Sequence, residues 1–223
     1  MSFTRFAIYY LPPVGAMADF GAAWLGWDVV SGRAVDHPDV PGLDDVTMTP
    51  RKYGFHATLK PPFRLADGTD LAGLRAAVAG MAAACAPARA QGLGLSRLGR
   101  FLALTPLGDT SEIARVAAHC VRAIDGFRAP PGAAELARRR QSPLTDRHEA
   151  LLQRWGYPYV MEEFRFHMTL TGRLSDAEID HWARQARAHL PAMPTPFVLD
   201  EVALVGERPD GRFEQIHRYA LAG

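Results

Sequence analysis

The tetrapeptide His56-Ala57-Thr58-Leu59 recurs as His167-Met168-Thr169-Leu170, each copy inside a short apolar run that reads as a β-strand. A strand alternates its faces, so a His and a Thr two residues apart project from the same side. On this parity Lys52, Gly54, His56, Thr58 and Lys60 oppose Tyr53, Phe55, Ala57 and Leu59. In the second run Glu163, Arg165, His167, Thr169 and Thr171 oppose Phe164, Phe166, Met168 and Leu170. Each strand therefore has an apolar back for a core and a front that carries an imidazole, hydroxyl groups and cations. A single such motif is a weak signal. Two copies with one parity constrain the chain to bring both fronts to a shared cleft.

The rest of the pattern places these strands in an α+β fold. Arg5–Tyr10 reads as a strand and Ala16–Gly26 as a helix. Leu71, Leu74, Val78, Met81 and Cys85 follow Asp70 at helical spacing, with the aspartate as cap. Gly92–Leu98 and Arg100–Thr105 read as strands. Asp109 and Glu112 have capping-box spacing ahead of the stripe Ile113, Val116, Ala117, Cys120 and Ile124, and Ser175 and Glu178 have it ahead of Ile179, Trp182, Ala183, Ala186 and Leu190. Two strands, about 197–205 and 213–220, close the chain around Arg208-Pro209-Asp210-Gly211. Each half thus runs strand, helix, His strand, helix, strand. The expectation is one domain over 1–223 with two pseudo-symmetric lobes, about 1–98 and 99–223. Each lobe is an antiparallel sheet with outer helices, around a central cleft lined by the two His-x-Thr strands.

Two segments depart from the repeat. Asp28–Pro50, rich in Gly, Pro and Asp, reads as a long rim loop. An insertion at about 128–159 carries Arg138-Arg139-Arg140, a helix near Asp146–Trp155, and the pair Tyr157 and Tyr159. The arginine run is either a solvated helix face or part of an overhang that recognises an anionic substrate. Tyr157 and Tyr159 are candidates for contact with a base or sugar, against a packing role beside Pro158.

The cleft residues suit acid–base chemistry on a phosphate. Hydrolysis of a phosphodiester needs water deprotonated on one side of phosphorus and the leaving oxygen protonated on the other, and imidazole can do either near neutral pH. Thr58 and Thr169 can donate to nonbridging oxygens, while Lys60 and Arg165 can offset the developing charge. Lys52 and Lys60 are the chain's two lysines, each four residues from His56 on its face. Lys60, continuing from Thr58, is expected to bind phosphate directly, with Lys52 a candidate substrate contact. Glu163 either orients a ring or pairs with Arg165. Two His without Cys or carboxylate ligands at suitable spacing are too few for zinc, so neither a metal nor another cofactor is expected. The remaining histidines default to structural or surface roles.

These motifs resemble those of the 2H phosphoesterase superfamily, whose members include the LigT-like RNA 2′,3′-cyclic phosphodiesterases. The stretches Arg51–Phe63 and Trp155–His167 are similar to the branch associated with bacterial phosphonate-metabolism operons. The resemblance implies a metal-independent phosphodiesterase with His56 and His167 as its acid–base pair. It also implies that His167 activates water and His56 protonates the leaving oxygen, although the exchanged roles remain open for another substrate orientation. The expected substrate is a small cyclic or linear phosphodiester, a nucleotide or ribose phosphate. An RNA 2′,3′-cyclic phosphate end-processing enzyme and a noncatalytic nucleotide- or phosphate-binding module are the alternatives.

Composition narrows the partners. A net charge of +1 argues against an extended nucleic-acid surface. No apolar run reaches membrane-spanning length, and Phe3–Leu11 is interrupted by Arg5 and followed by Pro12-Pro13, so no signal peptide or membrane contact is expected. Cys85 and Cys120 fall on apolar helix faces as free thiols, in keeping with a reducing cytoplasm. The sequence leaves the oligomeric state open.

Overall fold

β1 (Phe6–Tyr10) is buried along its whole length, which explains why its sequence does not alternate. Phe6, Ile8 and Tyr10 enter the main core, while Ala7 and Tyr9 face a second cluster with Trp27, Val29, Val205 and Phe213. A strand covered on both faces reads as a continuous apolar run.

The computed structural model describes residues 3–141 and 143–223. After β1 come α1 (Ala16–Leu25), the short pair β2 (Trp27–Asp28) and β3 (Arg33–Ala34), α2 (Leu43–Arg51), β4 (Ala57–Phe63), α3 (Leu71–Ala83) and β5 (Ala88–Ala90). The hairpin β6 (Gly92–Leu98) and β7 (Phe101–Leu107) follows, then α4 (Ser111–Ala123), α5 (Ala133–Arg139) and α6 (Asp146–Trp155). The chain ends with β8 (Met168–Thr169), α7 (Asp176–His189), β9 (Phe197–Leu199), β10 (Glu201–Glu207) and β11 (Phe213–Ala220). Among the described residues no helix is long and apolar enough to cross a membrane.

The architecture is α+β with antiparallel sheets, as the pattern implies. One sheet has the order β11-β10-β1-β4, another β6-β7-β8, and β5 pairs with β9. Sequential halves do not build these sheets separately. The C-terminal strands β10 and β11 complete the sheet of β1 and β4, while β8 crosses to the β6–β7 hairpin. The expected boundary near residues 98–99 falls inside that hairpin.

Local signals hold at several helix ends. The Asp70 carboxylate accepts the Gly73 N–H at 2.7 Å at the start of α3. At the start of α7, Glu178 accepts both the Ser175 N–H at 2.7 Å and its hydroxyl at 2.5 Å. The box expected at α4 is absent: Asp109 accepts from Ser111, and Glu112 accepts from the Arg89 N–H of a neighbouring strand. The expected rim loop at 28–50 also contains regular structure, the β2–β3 pair and the start of α2.

Candidate active site

β4 and β8 are the edge strands of their two sheets and approach one another. An edge position also accommodates Pro61 and Pro62, which lack the N–H a central strand requires. The strand that carries the first motif starts only at Ala57, and β8 is just two residues long, so both histidines sit at strand entrances.

Each imidazole is held in the same way. His56 Nδ1 lies 2.9 Å from the Gly54 carbonyl oxygen, and His167 Nδ1 lies 2.7 Å from that of Arg165. A carbonyl can only accept, so Nδ1 carries the proton and each Nε2 is the exchangeable position. Gly54 is required for the first of these turns. Its φ is +71°, and a Cβ there would stand 2.6 Å from the Val29 Cβ.

The two rings differ beyond that contact. His56 Nε2 accepts from the Thr58 hydroxyl at 3.0 Å, and its ring stacks on Tyr9 with centroids 3.8 Å apart and planes 27° apart. Burial lowers the His56 pKa to about 4; the Gly54 carbonyl opposes that shift, and the nearby His167 adds to it. His167 has Phe101 at 5.8 Å in a tilted arrangement. Thr169 is half-buried opposite Ala103.

Lys60 is not where strand parity puts it. Thr58 is paired with Tyr9, but the next pair is Lys60 with Ile8, one step along β1 and two along β4. Leu59 is therefore the extra residue of a β-bulge, and the bulge turns Lys60 toward the core. The Lys60 side chain is only 2% exposed; its ammonium donates to the Val121 carbonyl at 3.1 Å and to Asp125 at 3.4 Å. Burial lowers its pKa to about 8 against the pull of Asp125. Asp125 in turn is kept below the usual carboxylate range, against its own burial, by Arg128 and then Lys60. The expected direct phosphate contact from Lys60 is thus replaced by a buried ion pair.

The second run loses its parity further upstream, because Met161–Glu163 is a 3-10 turn rather than strand. Glu163 pairs with His148 at 3.3 Å, not with Arg165. Arg165 is exposed and has no side-chain ion pair among the described residues. It borders a cavity of about 260 Å³ that is also lined by Leu98, Thr105, Thr110 and Phe164. Lys52 is exposed, its ammonium 4.7 Å above the Tyr53 ring, which is itself 6.1 Å from His56.

The insertion is linked to this rim. The Arg139 guanidinium lies 4.5 Å over Tyr157, Tyr157 meets Tyr159 edge-on, and Tyr159 is 46% exposed. Burial raises the Tyr157 pKa, and Tyr53 is close enough to contribute. Tyr9 and His148 are the residues sequence reasoning misses. Tyr9 looks like one more apolar strand residue, and its contact with His56 is made across strands. Among the described residues no three His, Cys, Asp or Glu side chains gather as a metal centre needs.

Comparisons with known proteins return curated relatives, solved structures and one family. The chain is 38% identical over 234 residues to a protein of Janthinobacterium sp. (strain Marseille) named "Ribose 1,5-bisphosphate phosphokinase PhnN". It is 37% identical over 191 residues to a protein of the same name from Laribacter hongkongensis (strain HLHK9). These matches take in 100% and 83% of this chain but 52% and 44% of the relatives, so the chain spans about half the length of the curated relatives it matches. Crystal structures of E. coli LigT complexed with 3′-AMP and in apo form align over 100% of both chains, at 14% and 13% identity and TM-scores of 0.43 and 0.47. A structure described as a phosphoesterase aligns at 14% identity and a TM-score of 0.42. A family match covers residues 58–214, and the chain belongs to that family, described as "Protein of unknown function (DUF1045)".

Proposed function

We propose that this protein is a metal-independent phosphodiesterase that hydrolyses a small cyclic or linear phosphodiester with His56 and His167 as its acid–base pair. One observation carries the reading: two imidazoles on facing edge strands, each anchored through Nδ1 to the carbonyl two residues upstream. That arrangement leaves two Nε2 atoms for one phosphorus, one to take a proton from water and one to give a proton to the leaving oxygen. Thr58 and Thr169 supply hydroxyl donors for the nonbridging oxygens, and Arg165 supplies positive charge at the mouth. Lys52, Tyr157 and Tyr159 are the proposed contacts for the remainder of the substrate.

The kinase name of the relatives does not pass to this chain by motif. Its two lysines precede Tyr53 and Pro61, so it has no Gly-Lys-Ser/Thr phosphate loop. The ribose bisphosphate in that name, together with the resemblance to the phosphonate-operon branch, supports a ribose phosphate diester as substrate and a place in phosphonate metabolism.

An activity screen tests this directly. Cyclic nucleotides, cyclic ribose phosphates and linear ribose phosphodiesters are incubated with the protein in the presence of a chelator. Turnover that survives the chelator and disappears in His56→Ala is expected. Turnover that persists in both His56→Ala and His167→Ala overturns the proposal.

A further inference from the structure

Ala103 of β7 is paired with Thr169 on one side and with Ser96 on the other, and Thr105 is paired with Gly94. Directly paired residues of an antiparallel sheet share a face, as do residues two apart on one strand. Gly94, Ser96, Leu98, Phe101, Ala103 and Thr105 therefore stand on the face that carries Thr169. Leu98 and Thr105 of that face line the cavity of about 260 Å³ that Arg165 borders. Two contacts set this cavity beside His167. The Arg165 carbonyl holds His167 Nδ1 at 2.7 Å, and Leu98 is paired with Phe101, whose ring lies 5.8 Å from the imidazole.

The walls combine apolar side chains with three polar ones, Thr105, Thr110 and Arg165. Thr105 Oγ1 is 2.6 Å from Ser96 Oγ, and one hydroxyl donates to the other, which leaves the pair one proton and free lone pairs for a ligand. Thr110, at the start of α4, makes no capping bond with its side chain. The volume lies just below the range usual for small-molecule pockets, about 300–1,000 Å³, so it suits a single ring with its substituents and is generous for a phosphate alone. A purely apolar ring would cover the hydroxyls without pairing them, at a cost. A second phosphate would find only one cation there, Arg165. A sugar ring matches both kinds of wall, with its C–H face on Phe164 and Pro106 and its hydroxyls toward Thr105 and Thr110. We infer that this cavity is the subsite for a sugar of pentose size in the phosphodiester, and that Thr105 determines specificity by hydrogen bonding to a sugar hydroxyl. The inference rests on the proposed phosphodiesterase reading and narrows its substrate class.

Thr105 can be tested apart from the fold. Thr105→Val keeps the branched shape of the wall and deletes the hydroxyl, while Thr105→Ser keeps the hydroxyl and deletes a methyl. A structural role slows every substrate alike. A recognition role is visible only with a substrate that carries the matching hydroxyl.

The experiment compares the methyl diester of ribose 5-phosphate with its 2-deoxy and 3-deoxy counterparts, by kcat/KM, in wild type, Thr105→Val and Thr105→Ser. Wild type should prefer the full sugar over at least one deoxy form by about threefold to tenfold, the worth of one neutral hydrogen bond. Thr105→Val should lose that preference by slowing the full sugar alone, and Thr105→Ser should retain it. No preference in wild type overturns the inference, and so does a Thr105→Val protein that slows all three substrates equally. A binding arm needs neither turnover nor a variant. In wild-type NMR spectra, ribose 5-phosphate should move the amide signals of Leu98 and Thr105 further than inorganic phosphate does; equal shifts overturn the inference even where Thr105→Val does not fold. Sugar-dependent shifts in a protein that hydrolyses none of the diesters keep the subsite and defeat the phosphodiesterase reading instead.

Discussion

The Gly172 N–H donates to the Val46 carbonyl at 2.6 Å, a bond between the segment just past the second motif and the helix that leads into the first. The acceptor is available for a local reason. Pro50 occupies the last turn of α2 and has no N–H to return to the carbonyl four residues back, which is that of Val46. Trp24 adds a parallel tie, its indole N–H donating to the Leu170 carbonyl at 2.9 Å. Together these bonds tie α1 and α2, the helix that leads into the first motif, to the segment that follows the second.

Loss of the glycine should therefore affect catalysis at a distance. A Cβ at Gly172 would sit 3.2 Å from the Val46 carbonyl oxygen, so Gly172→Val must push the two segments apart. Overpacking of this kind costs about 1–3 kcal/mol, read as a lower midpoint in urea. Displacement of one histidine by a fraction of an ångström should lower kcat by about tenfold to a hundredfold. An unchanged kcat in a folded Gly172→Val protein would show that the link does not position the pair.

His56→Ala and His167→Ala should each reduce kcat by about 10²–10⁴-fold, the usual contribution of a positioned proton carrier. Both residues keep some exposure to solvent, so circular dichroism and thermal midpoints should stay close to wild type. Thr58→Val and Thr169→Val should cost less, about tenfold to a thousandfold, for the loss of one donor to the developing charge. If the His variants unfold instead, the rings are structural.

Lys60 and Asp125 make a stability pair with an asymmetric response. Lys60→Met replaces a buried ammonium with an apolar chain of similar length and leaves Asp125 bonded to Arg128, so stability should change by less than about 1.5 kcal/mol. Asp125→Ala removes the counter-ion and leaves Lys60 buried. A buried charge stripped of its partner typically costs about 3–5 kcal/mol, and the lowered Lys60 pKa reduces that by letting the amine shed its proton. Urea midpoints above and below pH 8 separate the two costs. KM should be unaffected in Lys60→Met; a rise in KM would return the ammonium to the phosphate.

The chain itself reveals the site only as far as local rules reach. Parity places His56 with Thr58 and His167 with Thr169 because a regular strand needs nothing else. Lys60 escapes because Leu59 bulges against β1, a partner about fifty residues upstream that no local pattern identifies; the following Pro61-Pro62 is the available warning of an irregular edge. Glu163 escapes because a 3-10 turn interrupts the run, and its true partner, His148, is fifteen residues upstream. Helix α2 is obscured by Gly42 before it and Pro50 within it, both of which read as loop. The interleaving of β10 and β11 with β1 and β4 is likewise a matter of strand pairing over nearly the whole chain, beyond the reach of periodicity.

Acid stability offers a test of His56 independent of any substrate. Its pKa is lowered in the fold to about 4, whereas in the unfolded chain it returns to about 6.5. Between those values the unfolded state binds more proton, so stability rises with pH across the interval and falls as the solution is acidified through it. The penalty is absent above about pH 6.5 and complete below about pH 4, where it reaches roughly 3 kcal/mol. Carboxylates and other histidines also titrate on acidification, so the comparison is with His56→Gln, which cannot take up the proton. The two proteins should diverge progressively from pH 6.5 to pH 4, with wild type losing more urea resistance than the variant. Parallel curves would mean that His56 ionises alike in the folded and unfolded chains, and that neither burial nor the Tyr9 stack holds it neutral.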